Sequence, residues 1–171
     1  MIRTDRLLLR RATWDDLGAV HRLLSDPRVM RYWSRPEHET LEETRHWLRF
    51  LIEPAPDSRD FLIERDGEVI GKAGAWKLPE VGFLLHPDHW GQGLAFEAMT
   101  AVIAHVEAGQ PALPELTAEV DPRNTASLRL LDRLAGWKWR QSRKAPRGFG
   151  HPRKPAHGQD PLQWDRRLDL G

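Results

Sequence analysis

The chain has no cysteine. That excludes a disulfide framework, thiolate metal sites and a cysteine nucleophile, and it suits a reducing compartment. Long hydrophobic runs are also missing. The N-terminus, MIRTDRLLLRR, sets only three consecutive leucines between charges, so it reads neither as a secretory signal nor as a membrane span. The expectation is a soluble, cytoplasmic protein without membrane contact. An excess of one charge is absent as well: 26 basic residues stand against 25 acidic ones, for a net charge of +1. Nucleic-acid binders carry a larger basic excess or a basic stripe, so nucleic acid is not an expected partner. A single tyrosine accompanies eight tryptophans. Tryptophans of this kind serve as core anchors, and a few suit the wall of a ligand site.

What is present is enough for one domain spanning 1–171. A chain of this size buries roughly 70% of its unfolded surface. No internal repeat or low-complexity linker appears before residue 142. DRLLLRRA (5–12) reads as a strand, and Thr13-Trp-Asp-Asp16 opens a helix marked by Leu17, Val20 and Leu24. Pro27 ends that helix, and 27–33 is a short helix or turn. Thr40-Leu-Glu-Glu43 is a cleaner capping box, followed by a stripe of Leu41, Thr44, Leu48 and Leu51 with Trp47 beside it. The period then changes from helical to alternating. RDFLIER (59–65) and EVIGKAGAW (68–76) flank Asp66-Gly67, a hairpin signal because both turn positions need positive φ. EVGFLL (80–85) is a nearly continuous apolar strand, as a central strand is. A helix over 93–107, a strand over 115–120, a helix over 124–135 and strands over 137–142 and 162–170 complete the order. Strand 80–85, helix 93–107 and strand 115–120 form a βαβ unit with a right-handed crossover. The fold class is α/β: a mixed, mostly antiparallel central sheet with a parallel βαβ pair and helices on both faces.

The most informative stretch is HPDHWGQGLAFEA (86–98), between that apolar strand and the best helix of the chain. Gly91 and Gly93 remove side chains just where a helix N-terminus leaves its amides unpaired and carries partial positive charge. The amides of 91–95 can converge on an anion as a nest does. A plain tight turn would need the same glycines. No third glycine completes a dinucleotide fingerprint, and no Lys with Ser or Thr completes a Walker loop. A metal-free diphosphate ester fits better than a Mg–nucleotide triphosphate.

With EVGFLL before it and NTASLRLLDRLAGW (124–137) after it, this turn resembles the GNAT superfamily of acetyl-CoA-dependent N-acetyltransferases. The opening RTDRLLLRRATWDDLGAVHRLLSDPRVMRYW is similar to the branch that includes the ribosomal-protein N-terminal (Rim-type) acetyltransferases. The resemblance covers residues 1 to about 140. The family signature Q/R-x-x-G-x-G/A appears as Trp90-Gly-Gln-Gly93-Leu-Ala95, with Trp90 in the polar position. The resemblance implies a co-substrate, acetyl-CoA, and no metal. The turn Trp90, Gly91, Gln92, Gly93, Leu94 and Ala95 would hold its pyrophosphate. The backbone of Phe83, Leu84 and Leu85 would pair with the pantetheine arm and polarise the acetyl carbonyl. Asn124 would contact pantetheine or anchor the splayed strands, and it is equally a good N-cap. Tyr32, Trp33 and Trp47 fall in the helical region that walls the acceptor site in this family; they are equally core candidates.

Acetyl transfer to an amine needs a neutral amine, a donor for the developing oxyanion and a departing thiolate. An α-amine, with a pKa near ~8, needs less help than a lysine near ~10.4. Candidate bases are Glu80, His86 and Asp121, each also readable as a strand-end or turn residue; a water chain is a further option. The Tyr that many members place seven residues after the Asn is here Leu131, which leaves Ser127 as candidate acid or as an ordinary helix serine. His86 and His89 are three apart with Pro87 between them and no third ligand evident, which argues against a metal. The basic, Pro/Gly-rich segment 142–161 reads as a solvated loop, or as a basic arm for an acidic acceptor or ribosomal RNA. Three functions follow: an N-acetyltransferase working by direct attack on acetyl-CoA in a ternary complex, a non-catalytic acyl-CoA-binding module, and an RNA- or ribosome-associated factor using the loop. The acceptor amine is unspecified, and a homodimer stays open.

Overall fold

The computed structural model describes residues 1–110, 112–134 and 139–142. Among these the sheet has seven strands in chain order: β1 (Ile2–Arg3), β2 (Leu8–Arg10), β3 (Arg59–Arg65), β4 (Glu68–Lys77), β5 (Glu80–Leu85), β6 (Leu116–Glu119) and β7 (Trp139–Ser142). The first four neighbouring pairs are antiparallel. The β5–β6 and β6–β7 pairs are parallel, so the expected parallel pair has a second beside it. The helices are α1 (Leu17–Leu24), α2 (Pro27–Met30), α3 (Leu41–Ile52), α4 (Leu94–Gly109) and α5 (Thr125–Arg133).

Two apolar cores cover the two faces of the sheet. One gathers Phe61, Ile63, Ala73, Val81 and Leu85 with Met99, Val102, Ile103 of α4 and Leu131 of α5. The other gathers Leu62 and Leu84 with Val20, Leu23 and Leu24 of α1 and Leu48 and Leu51 of α3. Alternation along β3 and β5 explains the division, since successive side chains leave a strand on opposite faces.

Local signals place most elements. The Asp66-Gly67 turn has φ of 52° and 83°, the left-handed pair that its hairpin needs. At α3 the Thr40 hydroxyl accepts from the Glu43 amide at 3.2 Å, and the Glu43 carboxylate accepts from the Thr40 amide at 3.0 Å. Two expectations change. The strand expected over 5–12 shortens to β2, which forms a hairpin with β1, because the Leu7 amide bonds the Thr4 hydroxyl and the Thr4 amide bonds the Leu7 carbonyl, both at 3.0 Å. Leu41 is not part of the buried stripe of α3; it is 53% exposed. Thr44 is fully buried because its hydroxyl meets Nδ1 of His21 at 2.8 Å and of His38 at 2.9 Å. The strand expected over 162–170 and the basic segment, save Ser142 at the end of β7, lie outside the described residues. The helix expected over 124–135 is α5, which ends at Arg133 with Leu134 as its C-cap. No helix among the described residues is long and apolar enough to cross a membrane.

The start of α1 is tied to the sheet by charge. Arg10 of β2 forks onto Asp16 at 2.9 and 2.7 Å and reaches Glu64 of β3 at 2.6 Å. Burial alone would raise the Asp16 carboxyl, but Arg10 and the Thr13 amide and hydroxyl outweigh it and hold it below the ordinary value. A carboxyl lowered on folding contributes stability that is present above its unfolded pKa, about 3.8, and lost as pH falls through the folded value. Asp16→Asn is therefore expected to cost about 1–3 kcal/mol at pH 7 and much less in strong acid. Urea unfolding at the two pH values checks this; an equal loss at both would assign the effect to packing.

Candidate active site

The parallel strands β5 and β6 are paired at a single position. Glu80 pairs with Thr117, and the Thr117 amide bonds the Pro79 carbonyl at 2.9 Å. Beyond that point β6 leaves β5. The His86 amide bonds the Ile70 carbonyl of β4 at 2.8 Å. The two-residue period then turns the backbone groups of Gly82 and Leu84 toward β4 and those of Phe83 and Leu85 toward the departing β6. The split thus leaves the Phe83 and Leu85 amides, along one edge, without an acceptor among the described residues. The Leu85 carbonyl is already taken, by the indole N–H of Trp90 at 2.8 Å. Trp90 closes the strand with its side chain and keeps its ring 50% exposed beside the turn.

The turn between β5 and α4 is a short 3₁₀ turn, Pro87–His89, followed by two left-handed glycines, Gly91 at φ 72° and Gly93 at φ 76°. Only glycine adopts both cheaply. Gly93 is the N-cap of α4 and offers no capping side chain. None of the described residues gives an acceptor to the amides of Gly91, Gln92, Gly93, Leu94 or Ala95. Five donors at the positive end of a sixteen-residue helix can hold an anion. The Gln92 side chain takes no part in that ring of donors: its Nε2 bonds the Asp88 carbonyl at 3.0 Å and its Oε1 accepts from Arg65 at 2.8 Å.

On the α1–α3 face the split is lined differently. Glu80, Gly82 and Leu84 share this face by alternation, and Lys72 lies directly opposite Leu84 on β4. Trp33 approaches Gly82, its Cη2 being 3.7 Å from where a Cβ would stand. Burial, then the neighbouring Glu119 charge, push the Glu80 carboxyl up; Lys72 acts in the opposite sense. Tyr32 carries the Arg31 guanidinium 5.3 Å over its ring and lies near enough to Arg123 to help raise that group. Trp33 and Trp47 both pack against the α1–α3 core, so Trp47 of α3 belongs to the helical layer.

The Asn124 side-chain oxygen accepts from the Ser127 amide at 3.1 Å, so Asn124 is the N-cap. Ser127 lies part-buried in the first turn of α5. Asp121 is different: Arg123 grips its carboxylate at 3.0 and 2.6 Å and, foremost among the causes, holds it below the ordinary range. It shapes the turn and is a poor proton acceptor. His86 sits at the far end of β5, roughly 20 Å along the strand from Glu80. Its Nδ1 accepts weakly from the Asp88 amide at 3.4 Å. The His86 and His89 rings are 6.3 Å apart, and among the described residues no three His, Asp or Glu gather as a metal site.

One feature of the α1–α3 face had little signal in the sequence. Lys72 and Asp60 form an ion pair at 2.8 Å, with side chains only 7% and 2% exposed. A lysine inside the otherwise uncharged run Ile70–Ala75 was the hint it offered.

Residues 6–136 match the model of the acetyltransferase (GNAT) domain. The chain is 30% identical over 141 residues to YoaA of Bacillus subtilis, an uncharacterized N-acetyltransferase; the match covers 77% of this chain and 79% of that one. A GNAT-family acetyltransferase from Bacillus anthracis superposes with a TM-score of 0.69 at 25% identity, over 78% of this chain and 81% of that one. The structure of RimL, a ribosomal L7/L12 α-N-protein acetyltransferase in complex with coenzyme A, shares the fold with a TM-score of 0.66 at 22% identity, over 76% and 79% of the two chains. A split parallel pair beside an uncapped, double-glycine helix start, within a matched span of this length, has one reading: the chain belongs to the GNAT acetyltransferase family.

Proposed function

We propose that the protein transfers an acetyl group from acetyl-CoA to a primary amine by direct attack in a ternary complex. The observation that carries this is the split itself: free strand amides at Phe83 and Leu85 lead away from free helix amides at 91–95. Acetyl-CoA supplies the activated acetyl thioester and, at its other end, a diphosphate. Amides 91–95 bind the diphosphate as fixed donors. The Phe83 and Leu85 backbone holds the extended arm as a missing strand would be held, and an amide there donates to the carbonyl oxygen as charge develops on it. RimL was solved with coenzyme A on the same fold, which supports this assignment.

On the opposite face, Trp33 and Tyr32 offer aromatic surface and Glu80 and Glu119 offer negative charge, a combination suited to an amine that arrives as a cation. Glu80 takes the proton, directly or across one water, and its raised affinity for protons makes it a better base than an ordinary carboxylate. As the N–C bond forms and the C–S bond breaks, the Ser127 hydroxyl donates to the leaving sulfur. An α-amine is the favoured acceptor, because it asks about 3 kcal/mol less of the base than a lysine does. RimL's acceptor, a protein α-amine, is of this class.

Release of free coenzyme A thiol, followed with a panel of N-terminal peptides, polyamines and lysine analogues, tests the reading. Amine-dependent release with the peptides most active is expected, together with a Ser127→Ala variant that loses turnover more than coenzyme affinity. Tight coenzyme binding without release from any amine would sink the catalytic reading in favour of a binding module. Unchanged turnover in Ser127→Ala would remove that hydroxyl from the mechanism.

A further inference from the structure

The N-terminal hairpin reaches across the molecule to the glycine turn through one side chain, Arg6. Its Nη1 donates to the Gln92 carbonyl at 2.9 Å. Its own amide, Nε and Nη2 all hold the Glu97 carboxylate of α4, at 2.9, 2.7 and 2.7 Å. The Thr4 hydroxyl donates to the same carboxylate at 2.6 Å. Arg6 therefore spans the turn and the first turn of the helix behind it.

Two consequences follow from elementary geometry. In a trans peptide the carbonyl and the next amide point opposite ways. Fixing the Gln92 carbonyl on Arg6 fixes the Gly93 N–H in the opposite direction, among the free donors of the turn. With glycine on both sides of Gln92, the flanking backbone does little to stop that peptide from rotating. Second, Glu97 puts a negative charge in the first turn of α4, where it would repel a diphosphate. Arg6 cancels it. Burial alone would raise the Glu97 carboxyl; Thr4 and Arg6 outweigh that and hold it below the ordinary range. The Gln92 side chain, held by Arg65 and Asp88, secures the same peptide from its other end.

We infer that Arg6 is a positioning residue for coenzyme binding: it orients the Gln92–Gly93 peptide toward the diphosphate and neutralises Glu97. This rests on the reading of the turn as the diphosphate site proposed above. The guanidinium fork is essential to it, since a lysine ammonium can neutralise Glu97 but cannot span both groups.

The test measures the Kd of coenzyme A by calorimetry for wild type, Arg6→Ala and Arg6→Lys. It also measures kcat/KM with acetyl-CoA and with acetyl-pantetheine, which lacks the diphosphate. Arg6→Ala is expected to weaken coenzyme A by about tenfold or more and to lower the ratio of the two kcat/KM values by a similar factor, with kcat changed much less. Arg6→Lys, which keeps the stem and the charge, is expected to fold normally and to restore only part of the loss. A coenzyme Kd in Arg6→Ala within twofold of wild type, or equal losses with both donors, would overturn the inference; so would full restoration by Arg6→Lys. Wild type that binds coenzyme A without turnover would refute the transferase reading while the Kd values still decide the role of Arg6.

Discussion

Replacing Glu80 by Gln is expected to lower kcat by about 10²–10⁴-fold with a small change in the KM for acetyl-CoA, if Glu80 is the base proposed above. Gln keeps the shape and an acceptor oxygen but cannot carry the proton away. Glu80 stands at the vertex of the split, on the face lined by Trp33, three residues before the Phe83 amide. Three residues of strand span roughly 10 Å, a gap that an amine and one water can bridge. Its environment also dictates the pH dependence. Burial and the Glu119 charge raise the carboxyl above its ordinary value of 4.5, with Lys72 opposing. The base must be ionised to act, so kcat/KM falls as pH drops through a value above 4.5. Glu119→Gln removes a like charge and moves that limb to lower pH; Glu80→Gln removes it. A Glu80→Gln enzyme within a few-fold of wild type would eliminate the residue as base.

The second large effect falls on stability. Lys72→Met leaves the Asp60 carboxylate buried without its partner and is expected to cost about 3–5 kcal/mol. For a chain of this size that lowers Tm by roughly 6–20 °C. The Lys72 ammonium lies 2.8 Å from Asp60 Oδ1 yet outside hydrogen-bond geometry, so the attraction is mainly Coulombic. Gly74 makes the room: a Cβ there would stand 2.7 Å from the same oxygen and 2.2 Å from the Arg59 carbonyl. Removing both charges, as in Lys72→Met with Asp60→Leu, returns most of the loss, because neither buried group then lacks a partner. Calorimetric melting of the three variants checks the order. If the double variant is no more stable than Lys72→Met, the cost belongs to packing. Lys72 also lowers the proton affinity of Glu80, so any activity left in Lys72→Met has its acid limb at higher pH.

How much of this was legible in advance depends on the range of the interaction. The capping box at Thr40 and Glu43, the left-handed Asp66-Gly67 turn and the Asn124 cap could all be read, because each is settled within four residues. The glycines at 91 and 93 belong to the same class, since their φ is a local requirement. The strand over 5–12 shortens to Leu8–Arg10 because the residues before it have other partners: Thr4 closes a turn on Leu7, and Arg6 bonds Glu97, 91 residues away.

The sequence by itself determined the elements, the mixed sheet and the glycine turn, since hydrophobic period and backbone φ are written residue by residue. Only the tertiary structure decided how the site is assembled. Nothing in Leu116–Glu119 announces that this strand meets β5 at a single residue pair and then departs. That divergence leaves the Phe83 and Leu85 amides without an acceptor among the described residues. The pairing of Lys72 with Asp60 on the α1–α3 face and the reach of Arg6 to the turn are contacts between distant parts of the chain. Such contacts depend on packing and register, which no local pattern specifies.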